Sequence, residues 1–195
     1  MVETSLSLLE RLRQPPRDEA AWKRLVDVYT PLIHGWVRRY DIQAEDVSDL
    51  TQEVLGTVHR EMPEFEHNRH PGAFRCWLRT ITANRIRAFW KQRRSQRLPA
   101  SDSDLDRRLA ELEDPGSDLS HLWDQEHDRY VLRHLLALVE PEFAPATWRA
   151  FESLALEERR AAEVAAELGT TVNAVLLAKS RVLRRLRREA RGLVE

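Results

Sequence analysis

Residues 74–97 read FRCWLRTITANRIRAFWKQRRSQR. Phe74, Trp77, Phe89 and Trp90 stand among Arg75, Arg79, Arg85, Arg87, Lys91, Arg93, Arg94 and Arg97, and the run holds no Asp or Glu. Phe74, Trp77, Leu78 and Ile81 fall at helical spacing and form a stripe suited to a core. Arg79, Ala83, Arg87, Lys91 and Arg94 follow steps of four and three, so a helix sets them on one face. Like charges at that spacing repel by roughly 0.2–0.5 kcal/mol per pair. A helix that accumulates them is suited to a polyanion.

The composition around this run is helical as well. Ala, Leu, Glu and Arg dominate, glycine is scarce and runs of β-branched residues are absent, so the expected fold is all-α. Lys and Arg number 31 against 32 Asp and Glu, a net charge of -1 that hides strong local segregation. Cys76 is the single cysteine, which excludes an intramolecular disulfide and suits a reducing cytosol. No apolar run approaches membrane-spanning length, and the first residues lack the charged-then-apolar pattern of a secretory signal. These features predict a cytoplasmic protein.

Upstream, Leu6, Leu8, Leu9 and Leu12 suggest a short helix stopped at Pro15-Pro16. Asp18 is placed to cap a second helix running through Trp22, Leu25, Tyr29, Ile33 and Trp36 to about Tyr40, with a kink expected at Pro31. A third helix from about Asp46 buries Val47, Leu50, Val54 and Val58 and turns Asp46, Asp49 and Glu53 to the other side. Pro63 ends it. Residues 64–70 form a polar loop, and Pro71 suits the first position of the basic helix.

Downstream the charge inverts. Residues 98–128 hold ten acids against Arg107 and Arg108, punctuated by Pro99, Pro115 and Gly116, which predicts a flexible acidic linker. The expected division is 1–97, a linker over 98–119, and a second helical domain over 120–195. Leu122, Trp123, Val131 and Leu135 resume a helical register there. Near the end, Ala162, Val164, Ala165 and Leu168 mark a short helix, Gly169 a turn, and Thr170 or Thr171 the cap of a longer helix. That is the helix-turn-helix pattern. The longer helix is expected to bury Val172, Val175, Leu176, Val182, Leu186 and Ala190. It should expose Lys179, Arg181, Arg184, Arg185, Arg187 and Arg188.

These motifs resemble those of the extracytoplasmic-function (ECF) RNA polymerase sigma factors over nearly the whole chain. Asp49-Leu50-Thr51-Gln52-Glu53-Val54 looks like the D-L-x-Q-E-V motif of that family's region 2.2. Phe74, Trp77-Leu78, Ile81 and Asn84 look like the F-x-x-W-L-x-x-I-x-x-N motif of regions 2.3 and 2.4. Val164-Ala165, Leu168-Gly169, Val175, Arg181 and Arg185-Leu186-Arg187 look like the helix-turn-helix of region 4.2.

The resemblance implies a factor that binds core RNA polymerase, recognises promoter DNA and promotes transcription initiation, with no enzymatic activity and no cofactor. It implies polymerase docking through Asp46, Asp49, Leu50, Gln52 and Glu53. It implies minus-ten contacts from Phe65, His67, Asn68, Arg79, Asn84, Arg87, Trp90, Lys91 and Arg94. Aromatics would stack on bases leaving the duplex and arginines would hold phosphates. Minus-thirty-five contacts would come from Thr171, Asn173, Lys179, Ser180, Arg181, Arg184 and Arg185. This sequence departs from the family pattern at Ala88, where many members carry an acid, and at Leu176-Leu177-Ala178, where a polar run is usual. An anti-sigma factor or another regulator is an expected partner.

Two other readings fit the residues. One is a stand-alone helix-turn-helix regulator, which would not need the 49–54 motif. The other is a helical, sigma-like interaction protein that starts no transcript. His59, His67, His70 and Cys76 lie close in sequence, but their spacing fits no zinc-ligand pattern, and no metal is expected. No nucleophile elbow, phosphate loop or paired-histidine helix is present.

Overall fold

A computed structural model describes residues 8–14, 18–66, 72–95, 103–191 and 193. Among the described residues the secondary structure is helical, with no strand, as the composition requires. The chain divides into two units, residues 1–131 with 192–195, and residues 132–191.

The first unit begins with α1 (Leu8–Arg13), whose Leu8, Leu9 and Leu12 are buried. Asp18 caps α2 (Glu19–Val37), accepting from Ala21 N at 2.9 Å and from Arg11 Nε at 2.8 Å. These bonds hold the Asp18 carboxyl below its ordinary value. Helix α2 continues through Pro31 as one element. Asp41, in a left-handed conformation, turns the chain into α3 (Ala44–Glu61). Val47, Leu50, Val54 and Val58 are buried, as their spacing predicts. A 3₁₀ turn at Met62–Glu64 follows, and then α4 (Ala73–Ser95), the basic helix.

The expected flexible linker over 98–119 does not hold for its described part. Residues 103–113 form α5 (Ser103–Glu113), which packs on α4, and α6 (Asp118–Val139) starts soon after. The physical reason lies in the spacing of a few apolar residues. Leu105, Leu109 and Leu112 are four and three apart and all buried. Ser120, Trp123, His127 and Val131 continue such a stripe on α6, again all buried. The acids occupy the remaining faces. The boundary between units therefore falls within α6, after Val131, rather than near residue 119.

Aromatic side chains from distant parts of the sequence fill the first core. Trp36 packs on Trp123 with ring centroids 4.9 Å apart. Tyr29 meets Phe74 edge-on at 5.4 Å, and Phe65 lies 4.7 Å from Trp77. Burying one such aromatic contributes about 3 kcal/mol.

The second unit contains the end of α6, α7 (Pro145–Ala155), α8 (Ala161–Glu167) and α9 (Val172–Ala190). Its core joins Ala150, Leu154, Val164, Ala165, Val175 and Ala178. The small side chains let α7, α8 and α9 pack closely.

Candidate nucleic-acid interface

Helix α4 is entered through Gly72, at φ +76°. A Cβ there would lie 2.6 Å from Arg75 Nε, so glycine serves both the left-handed backbone and the close approach. From this start, Phe74, Leu78, Ile81, Ala83 and Ile86 turn into the core. The basic side chains then divide into two groups.

One group is engaged within the protein. Arg79 is 3% exposed and pairs with Asp124 at 3.1 Å. Arg75 reaches Asp124 at 3.4 Å and Asp128 at 2.7 Å. Arg87 pairs with Glu113 at 2.5 Å and donates to Asn84 Oδ1 at 2.7 Å. Arg93 pairs with Asp46 of α3 at 2.5 Å and lies over the Phe89 ring at 4.8 Å. The acids of α5 and α6 thus meet the face that the sequence reading assigned to DNA.

The Asp128 end of this network is a chain of contacts. His127 lies between Tyr29 Oη at 3.1 Å and Asp128 Oδ1 at 3.0 Å, with no exposed surface of its own. Burial raises the Asp128 carboxyl, but the His127 hydrogen bond and the Arg75 charge outweigh it and hold the carboxyl below its ordinary value. Burial, with the Asp128 charge second, raises the Tyr29 phenol.

The other group faces outward. Thr80, Asn84, Ala88, Lys91 and Gln92 are exposed along one side, with Arg85 and Arg87 half-buried beside them. Trp90 is half-buried and donates its indole N–H to Tyr40 O at 3.2 Å. Among the minus-ten residues expected from sequence, the structure keeps Asn84 and Lys91 accessible and leaves Arg87 and Trp90 partly so. Phe65 and Arg79 are corrections. Phe65 is buried against Phe74 and Trp77, and Arg79 is enclosed beneath α6. His67, Asn68 and the Arg94 side chain lie outside the described residues.

On α3, Asp49, Gln52 and Glu53 are exposed together at steps of three and four. Asp46 is half-buried under Arg93. Leu50 is buried in the core and does not belong to the surface, a further correction.

In the second unit, α8 ends in a Schellman turn. Thr170 N donates to Ala165 O at 2.9 Å and Gly169 N to Ala166 O at 3.3 Å, with Gly169 at φ +61°. Thr171 Oγ1 then caps α9, accepting from Ala174 N at 3.2 Å. Of the expected minus-thirty-five residues, Asn173, Ser180, Arg181 and Arg184 are exposed. Thr171 is exposed but its hydroxyl serves the cap. Lys179 donates to Leu154 O at 3.5 Å. Arg185 is held by Glu142 through two 2.7 Å bonds and by Glu189 at 2.6 Å, which raises its pKa and commits it to the unit's own structure. Val172 and Leu176, expected in the core, are exposed. Val175, Ala178, Val182 and Leu186 define the buried side, and Leu176 sits about 100° around the helix from Val175.

The first-unit helices α3 and α4 that carry these surfaces fall within a known module. Residues 25–96, from within α2 to the end of α4, match the family described as Sigma-70 region 2. The chain is 31% identical over 160 residues to the ECF RNA polymerase sigma factor SigE of Mycolicibacterium smegmatis, a match covering 78% of this chain and 58% of that protein. Through this module and this relative, the chain is similar to the ECF sigma factors. It spans less than two thirds of the length of the curated relative it matches.

Proposed function

We propose that this protein binds core RNA polymerase, brings it to promoter DNA and starts transcription, acting by binding and without catalysis of its own. The observation that carries this reading is the coincidence of the matched region, 25–96, with the exposed acidic face of α3 and the aromatic basic helix α4. Asp49, Gln52 and Glu53 form the polymerase-docking face. Asn84, Lys91, Arg87 and Trp90 form the minus-ten face, with phosphates held by the cations and bases met by the indole. The helix-turn-helix of the second unit reads the minus-thirty-five element through the N-terminal half of α9. The protein acts in the cytoplasm, and a separate anti-sigma protein or other regulator limits it.

Run-off transcription from genomic DNA fragments with purified core polymerase tests the proposal. Discrete promoter-specific transcripts are expected only when the protein is added, and their absence would refute it. Replacing Asp49 and Glu53 by Lys should weaken core binding by at least ten-fold. Unchanged affinity would remove α3 from the docking face.

A further inference from the structure

On the accessible side of α9, the feature that polar base recognition leaves unexplained is apolar. Val172 is 43% exposed, and Leu176 and Leu177 are each 48% exposed. A single exposed leucine is ordinary, but these three lie within six residues, at the end of the helix that a helix-turn-helix presents to base edges. With about 100° per residue, Asn173, Leu177, Ser180 and Arg184 fall within about 60° of one another, opposite Val175 and Val182, and Leu176 borders them.

The surrounding charge indicates what covers this patch. Arg181, Arg184 and Arg187 are exposed further along α9, and no acid occurs between Val172 and Arg188. An apolar patch continuous with a row of cations complements a groove that has apolar groups on its floor and phosphates along its walls. The major groove of DNA offers such a floor where thymines present their C5 methyl groups.

We infer that Leu176 and Leu177, with Val172, recognise adjacent thymines in the minus-thirty-five element through their methyl groups, while Arg181, Arg184 and Arg187 hold the flanking phosphates. From Val172 to Leu177 the helix rises about 7.5 Å, roughly two base-pair steps, so the apolar set covers two to three neighbouring A·T pairs. Asn173 lies on the same stripe, placed to pair with an adjacent adenine edge. This inference rests on the proposed minus-thirty-five role of the second unit.

The test uses the full chain bound to core polymerase and a pool of randomised 40-base-pair duplexes. Retained duplexes should be enriched in adjacent thymines. The enriched duplex is then made with deoxyuridine in place of thymidine, which removes only the C5 methyl. Wild-type affinity should fall roughly four-fold for each contacted methyl removed. The Leu176→Ala/Leu177→Ala variant, altered only at exposed positions, should bind the thymine and uracil duplexes alike. Equal wild-type binding of both duplexes overturns methyl recognition and leaves the sigma reading standing. If the double variant binds DNA as wild type does, the leucines belong to a protein contact instead. If no duplex is retained, the minus-thirty-five role itself fails, and the inference with it.

Discussion

Arg79 and Lys91 lie about three turns apart on α4 and about 120° around it, and their surroundings give them opposite consequences. Arg79 is enclosed by Asp124 and the Ser120 carbonyl. Its removal leaves Asp124 without that partner, so Arg79→Ala should cost about 2 kcal/mol in denaturant unfolding. Lys91 is exposed, so Lys91→Glu should leave the unfolding midpoint unchanged and weaken promoter binding by about ten-fold in a filter or gel assay. A third residue gives a pH dependence. The Asp128 carboxyl titrates lower in the folded state than its ordinary 3.8. A depressed carboxylate stabilises the fold above its unfolded value and loses that contribution as pH falls through the folded value. Acid titration followed by tryptophan fluorescence should show a loss below about pH 4, and Asp128→Asn should remove that part of the pH dependence.

At the scale of elements, α3 and α9 were legible where hydrophobic spacing was regular, and so were the caps, since Asp18 and Thr171 form the predicted bonds. Thr171→Ala should lower stability by about 1 kcal/mol, read from thermal unfolding. The stretch 103–119 was misread as a linker because its acids outnumber its apolar residues. Three leucines and one tryptophan at helical spacing are enough to seat it. Trp123→Ala should cost about 4 kcal/mol and speed amide exchange in α5 and the first half of α6. The site was less legible than the fold. Steps of four link Arg79 to Lys91 in the sequence, but whether an arginine meets DNA or an internal carboxylate depends on residues 26 to 53 positions away. The exposed position of Leu176 was likewise hidden, because one step around the helix separates it from buried Val175.

Over the whole molecule, a net charge of -1 conceals a balance in which acids downstream of α4 neutralise part of its charge. Releasing those arginines should show in DNA binding. In a Glu113→Gln/Asp124→Asn variant, Arg79 and Arg87 lose their carboxylate partners. The log–log salt slope of non-specific duplex binding should then steepen by up to about two, measured by titration across a salt series. An unchanged slope would mean that these side chains stay away from the duplex even when unpaired.

The Arg79–Asp124 pair also bears on how the sequence can drift. A substitution at either position leaves the other poorly matched, so positions 79 and 124 should covary among relatives that keep α6 in this place. Asn84 and Lys91 are exposed, and Asn84 bonds to Arg87 of its own helix; in the proposed site they should vary with the promoters each relative serves. Divergence along one helix would then record two histories, one of a protein adapting to itself and one of a protein adapting to its genome.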